Sequence, residues 1–115
     1  MTLTVRSSMS PPTVRVQVRG DLDLFSARRV GMRIDRARQQ GCHQVLVDAG
    51  GVTFVNGSAL GVFIRTLRAL TEESGSMHFT SVSPSFERLC TLTGIDTVLG
   101  LGSLTVPETP VDRGR

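Results

Sequence analysis

The feature that most restricts the fold is the apolar run Val45-Leu46-Val47, which is predicted to lie in a strand at residues 44–49. An uninterrupted apolar run of strand length fits a central strand that is buried on both faces. Ahead of it, residues 13–19 alternate valine with polar residues, which is the period of an amphipathic strand. Because a segment of helical periodicity separates these two strands, the sequence predicts an α/β fold.

Three segments have apolar residues at the three- and four-residue spacing of an amphipathic helix. The first is predicted to be capped by Ser26, the second to begin near Ser58, and the third to begin at Ser83-Pro84. A glycine follows each segment, and glycine commonly ends a helix because it adopts a left-handed conformation without strain. The predicted helix-ending glycines are Gly41, Gly75 and Gly94.

The remaining predicted strands and turns complete a sheet. Short strands are predicted at residues 3–6, 77–82 and 104–106, and residues 52–55 form a short apolar segment. Turns or strand ends are predicted at residues 7–12, at Gly20 and at Gly50-Gly51. Strands joined by helices require crossover connections, so most neighbours are expected to be parallel, whereas the first two strands can pair as a hairpin. The sequence therefore predicts a mixed sheet.

The length of 115 residues fits one compact domain. Residues 1–12 are predicted to form an N-terminal strand and a flexible turn, residues 13–106 the folded domain, and residues 107–115 a disordered tail. No apolar run approaches the ~20 residues of a membrane span, and the first residues lack the basic-then-apolar pattern of a signal peptide. We therefore expect a cytoplasmic protein that does not insert into a membrane.

Arginine supplies all 13 basic residues, and lysine is absent. Without lysine, the glycines near residues 50–57 cannot form a Walker A phosphate loop. An arginine cluster at residues 28–38 includes Asp35 and has no aromatic residues interleaved for base stacking. We interpret the cluster as a solvated helix and predict no nucleic-acid partner.

The residues that could carry metal or covalent chemistry are few. Cys42, Cys90, His43 and His78 are too scattered for a zinc site. In a chain interpreted as cytoplasmic, the two cysteines are expected to be buried reduced thiols. No pairing of a nucleophile with a base is visible, so the sequence predicts no metal, no cofactor and no enzymatic activity.

Four motifs occur in the order and spacing of one known family. They are Gly20-Asp21-Leu22-Asp23, Val47-Asp48 with Gly51-Val52-Thr53-Phe54, Asn56-Gly57-Ser58-Ala59-Leu60-Gly61, and Phe86-Glu87-Arg88-Leu89 with Thr93-Gly94-Ile95-Asp96. Over about residues 14–106 the chain therefore resembles the STAS family, the fold of the bacterial anti-sigma factor antagonists. The resemblance implies a mixed sheet of four or five strands with helices packed mainly on one side.

The resemblance also implies a function. Family members of this size bind an anti-sigma factor that is also a serine kinase, and thereby release a sigma factor. The kinase phosphorylates the second serine of an Asp-Ser-Ser motif, which breaks the complex, and a phosphatase restores binding. Ser58 stands at that position in this chain. The implied partner-binding residues are Asp21, Asp23, Asn56, Gly57, Ser58, Ala59, Leu60 and Gly61.

The chain departs from the family motif around Ser58. Asn56 replaces the usual aspartate, Gly57 the first serine, and Ala59 a glycine. Asparagine can still cap the helix, but it removes a negative charge beside the predicted phosphoacceptor, and the methyl of Ala59 is expected to crowd a partner. The alternative interpretation of Ser58 is a simple helix N-cap.

The nearby carboxylates have structural interpretations. One of Asp21 and Asp23 is expected to be a turn or cap residue before the first helix. Asp48, at the end of the apolar strand, is expected to accept hydrogen bonds from loop N–H groups. The alternative is a role as an acid/base group for Asp21 and Asp23, and a partner contact for Asp48.

Two further functions stay open at the level of sequence. One is a phosphorylation-independent STAS subunit of a larger complex, such as an ABC-type lipid transport system. The other is a small nucleotide-binding STAS module. Phosphate mapping on Ser58 distinguishes the phosphorylation switch from the phosphorylation-independent subunit. Calorimetry with nucleotides tests the nucleotide-binding module.

Overall fold

A mixed sheet with helices forms the part of the chain that the computed structural model describes, residues 3–100. In chain order its elements are β1 (Leu3–Ser10), β2 (Thr13–Leu22), α1 (Leu24–Gln39), β3 (Gln44–Val55), α2 (Gly57–Glu72), β4 (Ser76–Val82) and α3 (Pro84–Thr93). The strand order is β1-β2-β3-β4. β1 pairs with β2 as an antiparallel hairpin, and the other two pairings are parallel. The predicted mixed sheet and its hairpin are confirmed; the strand predicted at residues 104–106 lies outside the described residues.

The core lies between one face of the sheet and the helices. Its sheet side includes the alternating residues of β2 that the sequence placed on one face, Val14, Val16 and Val18. Its α1 side is the predicted helical stripe Ala27, Val30, Ile34 and Ala37. Burial of such apolar surface is the main favourable term in folding. The predicted periodicities of β2 and α1 are therefore confirmed.

Three phenylalanines attach the remaining elements to the same core. Phe63 of α2, Phe79 of β4 and Phe86 of α3 lie with ring centroids 5.3 to 6.0 Å apart, in edge-on or tilted arrangements. Aromatic rings prefer these geometries over face-to-face stacking. Since the rings join α2 and α3 to the inner face of β4, all three described helices pack on one side of the sheet, as the family resemblance implied.

The prediction that the Val45–Val47 strand is buried on both faces is wrong. Val45 and Val47 are buried against the helices, but Leu46 points to the opposite face and is only half-buried. Arg15 and Thr80, on the neighbouring strands, are exposed there, and no element within residues 3–100 covers that face. The apolar run includes only one residue, Leu46, on the uncovered face. Its polar neighbours lie on adjacent strands, so the run itself does not show that this face is uncovered.

Both predicted strand interruptions by glycine are also wrong. β2 continues through Gly20 to Leu22, with a register shift beside it, and β3 continues through Gly50-Gly51 to Val55. At Gly50 and Gly51 a side chain would collide with Ser81 and Arg19, respectively. Glycine here permits close packing of neighbouring strands rather than a turn.

The first turn region is shorter than the sequence suggested. Strand pairing continues to Ser10, opposite Thr13, so residues 7–10 belong to β1 and only Pro11-Pro12 forms the hairpin turn. Main-chain pairing with β2 outweighs the weak strand preference of the serines. The cysteines are as predicted, since Cys42 and Cys90 are buried free thiols.

Candidate partner-binding site

The two predicted partner-binding segments lie side by side at the carboxyl edge of the sheet. β2 and β3 are parallel, and their last residues, Leu22 and Val55, are register partners. The N–H of Asn56 donates to the carbonyl of Leu22 at 3.2 Å. Because carboxyl ends of parallel strands meet at one edge, residues 20–23 and 56–61 form one continuous surface there.

Asn56 is the N-cap of α2. Its backbone is extended, and its Oδ1 accepts a hydrogen bond from the N–H of Ala59 at 3.0 Å. This satisfies one of the N–H groups that lack a partner at the start of every helix. The capping role expected for Asn56 is confirmed, and the helix begins one residue earlier than predicted, at Gly57.

Ser58 is the second residue of α2 and is exposed. Its hydroxyl has no hydrogen-bond partner among residues 3–100. Ser58 is therefore not the helix cap, because Asn56 fills that position. The hydroxyl is free to react or to contact a partner without disturbing an internal bond.

The other residues of the motif differ in accessibility. Gly57 is exposed and Gly61 is half-buried, whereas Ala59 and Leu60 are buried in the core. The methyl of Ala59 faces the interior, so the expectation that it crowds a partner is wrong. Of the predicted contact residues in α2, Gly57, Ser58 and Gly61 form the accessible surface.

Asp23 is the N-cap of α1, in place of the predicted Ser26. Its Oδ1 accepts from the N–H of Ser26 at 2.9 Å, and the Ser26 Oγ accepts from the N–H of Asp23 at 2.9 Å. This reciprocal pair is a capping box, in which the Ser26 hydroxyl also donates to the carbonyl of Asp21 at 3.0 Å. The pKa of Asp23 is lowered mainly by the hydrogen bond from the backbone N–H of Ser26 and, to a smaller extent, by the hydrogen bond with the Ser26 hydroxyl.

The other two carboxylates near the motifs are held by local hydrogen bonds. Asp21 accepts from the Thr53 hydroxyl at 2.9 Å, which ties the end of β2 to the end of β3. Asp48 accepts from the N–H of Gly50 at 2.9 Å, so its predicted role toward backbone N–H groups is confirmed. Asp48 also lies 3.5 Å from Nε2 of Gln17 on the uncovered sheet face.

Two exposed phenylalanines lie at the same edge, and neither was predicted from the sequence to be a contact residue. Phe25, in the first turn of α1, is 72% exposed, and Phe54, near the end of β3, is 49% exposed. With Asp21 and Asp23 they line a shallow depression. For Phe25, the available signal was its position just after the cap and outside the buried stripe of the helix.

The electrostatics at the start of α2 favour an added negative charge. No acidic side chain lies in its first turn, and a helix N-terminus carries the positive end of the helix dipole. No group of three or more potential metal ligands occurs among residues 3–100. No helix in the same part of the chain has the length and apolar character needed to cross a membrane.

Comparison with known proteins assigns the family. The family model described as "Mlab, STAS domain" matches residues 5–103. The match spans most of the chain and includes both segments of the candidate site. The chain therefore belongs to the STAS domain family.

The names of curated relatives indicate a more specific class of protein within this family. The chain is 27% identical over 108 residues to an anti-sigma-B factor antagonist of Staphylococcus epidermidis, covering 94% of this chain and 100% of the relative. It is 25% identical over the same length to an anti-sigma-B factor antagonist of Staphylococcus aureus. These relatives are regulatory binding proteins by name rather than enzymes.

Solved structures share the fold. An anti-sigma factor antagonist from Mycobacterium paratuberculosis matches with a TM-score of 0.72 at 20% identity, over 85% of this chain and 83% of that one. Unphosphorylated SpoIIAA, an anti-sigma factor antagonist, matches with a TM-score of 0.69 at 20% identity, over 84% of this chain and 97% of SpoIIAA. Phosphorylated SpoIIAA of Bacillus matches with a TM-score of 0.67 at 19% identity, over 82% and 86%.

Proposed function

We propose that this chain is an anti-sigma factor antagonist whose partner is an anti-sigma factor with serine kinase activity. Binding of the partner releases a sigma factor, and phosphorylation of Ser58 ends that binding until a phosphatase removes the phosphate. The observation that carries the proposal is the exposed Ser58 hydroxyl, which has no hydrogen bond among the described residues and lies at the shared edge. The names of the curated relatives support the same class.

The switch acts by excluding the partner and leaves the fold intact. Phosphorylation adds about −1.5 to −2 charge at neutral pH. In the free protein this charge faces water and the unpaired N–H groups at the start of α2. In a complex packed on the same surface it would be desolvated or face a like charge, which costs binding energy. Fold similarity to both forms of SpoIIAA supports a scaffold that accommodates the modification.

The surface around Ser58 supplies the binding contacts. Asp23 offers an exposed carboxylate, and Gly57 an exposed backbone without a side chain. Phe25 and Phe54 add apolar area of the kind that dominates protein interfaces. The chain acts as a cytoplasmic binding protein without a cofactor, metal, nucleic-acid partner or catalytic activity of its own.

A second candidate function is a phosphorylation-independent subunit of a larger complex, such as an ABC-type lipid transport system. The observation that favours it is the neutral Asn56-Gly57 pair, which stands in place of an acidic residue and a serine. In that case the same edge would bind a permanent partner, and its affinity would not depend on the charge at Ser58.

The test uses the full chain with a purified anti-sigma factor that has a serine kinase domain. Binding is measured by calorimetry for the wild type, Ser58→Ala and Ser58→Asp, with Ser8→Asp as control. Ser8 is an exposed serine on β1, distant in the sheet order from α2. We expect Ser58→Asp to abolish binding while Ser58→Ala and Ser8→Asp retain it. Equal affinity of all four proteins would refute the switch and favour the second candidate.

A further inference from the structure

An open groove runs between α1 and α2 on their outer side. Its floor is formed by Gly31, which has no side chain, and by the nearly buried Val62 and Thr66. Met32 forms part of its wall and is 60% exposed. Met32 therefore offers accessible apolar surface in a groove that also has charged side chains in its lining.

The acidic residues at one end of this groove share one arginine partner. Arg38 binds Glu73 through two hydrogen bonds, Nε to Oε1 at 3.1 Å and Nη2 to Oε2 at 2.6 Å, and it also pairs with Asp35. The bond to Glu73, with a smaller effect of Asp35, raises the pKa of Arg38. Since one guanidinium faces two carboxylates, this end of the groove keeps one negative charge that Arg38 does not offset.

Two arginines in the same groove have no such partner. Arg28 and Arg65 make no ion pair and no side-chain hydrogen bond within residues 3–100. A guanidinium nitrogen of Arg65 lies 3.9 Å from the position a Cβ would take at Gly61. The Arg65 side chain therefore extends toward the N-terminus of α2.

The direction of the helices adds to this positive charge. α1 and α2 each follow a strand of the parallel pair β2 and β3, so both helices begin at the same edge of the sheet. Their positive dipole ends lie on the side toward which Arg65 extends. The groove thus changes from positive near the helix N-termini to net negative near Arg38.

We propose that this groove, the Arg28–Arg65 groove, docks an acidic helical segment of a protein partner. Carboxylates of the segment pair with Arg28 and Arg65, and an apolar side chain packs on Met32. A protein is favoured over nucleic acid because Met32 exposes apolar surface in the groove and none of the described lining residues is aromatic. The interaction goes beyond the proposed function, since it requires no modification of Ser58.

The test is an NMR titration of the isotope-labelled full chain with a capped synthetic helical peptide. The peptide contains glutamate, leucine and alanine, with glutamates and leucines on one face, and a matched peptide has lysine in place of glutamate. The protein variants are the wild type, the double variant Arg28→Glu/Arg65→Glu, and Arg36→Glu. Arg36 is a matched control because it lies on α1 but lines a different surface depression, beside β1.

We expect the acidic peptide to shift amide signals around residues 28–32 and 62–66. The double variant should bind at least about tenfold more weakly, as loss of close charge pairs predicts, while Arg36→Glu should bind like the wild type. Unchanged unfolding midpoints will exclude misfolding of the variants. The proposal is overturned by absent shifts, by equal binding of the lysine peptide, by equal loss in Arg36→Glu, or by stronger binding of a mixed-sequence DNA duplex to the groove.

Discussion

Replacing Ser58 with aspartate should leave the folded protein as stable as the wild type or more so. The serine side chain forms no hydrogen bond with the described residues and is exposed, so its removal loses no internal contact. A negative charge at the second residue of α2 gains about 0.3–1 kcal/mol from the helix dipole. No acid lies in the first turn of α2, so the like charge that limits the gain is the exposed Asp23 carboxylate on the adjoining segment. For a domain of this size the gain corresponds to a rise in Tm of about 1–4 °C.

The assay is urea unfolding at low and high salt, followed by circular dichroism. The urea midpoint of Ser58→Asp should increase at low salt with an unchanged m value, and the increase should shrink at high salt because the dipole interaction is screened. Ser85→Asp is the matched control, because Ser85 is the second residue of α3, where Glu87 already provides an acid in the first turn. Its gain should be smaller. A loss of more than about 1 kcal/mol in Ser58→Asp would mean that charge disrupts the fold, and the exclusion mechanism would be refuted.

Three further outcomes follow from other parts of the chain. Gly31→Ala should stabilise the protein by about 1 kcal/mol in urea unfolding, because alanine favours a helix and a Cβ at Gly31 would lie at an ordinary contact distance of 3.4 Å from Val62. Destabilisation would show that the contact between α1 and α2 cannot accept the methyl group. Burial raises the pKa of Cys90 to about 11, so the contribution of the thiol to stability should be complete below the unfolded thiol pKa of about 8.5 and decline as pH rises toward the folded value. Urea unfolding of Cys90→Ala should lack this decline. A pH profile of Cys90→Ala identical to that of the wild type would contradict the assignment. Hydrogen bonds from Ser26 lower the pKa of Asp23, so the contribution of Asp23 to stability should be present above the unfolded pKa of about 3.9 and disappear as pH falls through the lower folded value. In a plot of unfolding free energy against pH, Asp23→Asn should reduce the slope on the acid side. An unchanged slope would show that Asp23 does not contribute to it.

The elements of the fold could be predicted from periodicity, but their junctions could not. Alternating valines in β2 and the stripe of α1 correctly identified the buried faces, because burial of one face imposes these periods. The glycines at 50 and 51 were ambiguous, since the same residue permits a turn or close strand packing. Only the positions of Arg19 and Ser81 on adjacent strands distinguish the two, and sequence spacing does not provide those positions.

The candidate site was predictable where a motif carried it. The register of β2 and β3 brings residues 20–23 and 56–61 together, as the family motifs implied. Capping was less predictable, because Asp23 and Ser26 are both good cap residues and form a reciprocal pair. Phe25 was missed because a single apolar residue outside the helical stripe does not reveal whether it is covered.

The most direct test of the central claim is phosphate mapping on the full chain. The protein is incubated with ATP and an anti-sigma factor that has a serine kinase domain, and it is then digested and analysed by mass spectrometry. Binding is measured before and after the reaction. The proposed switch predicts one phosphate, on Ser58, and loss of the complex in proportion to the phosphorylated fraction. A stable complex that carries no phosphate on Ser58 after the kinase has phosphorylated a known substrate would contradict it.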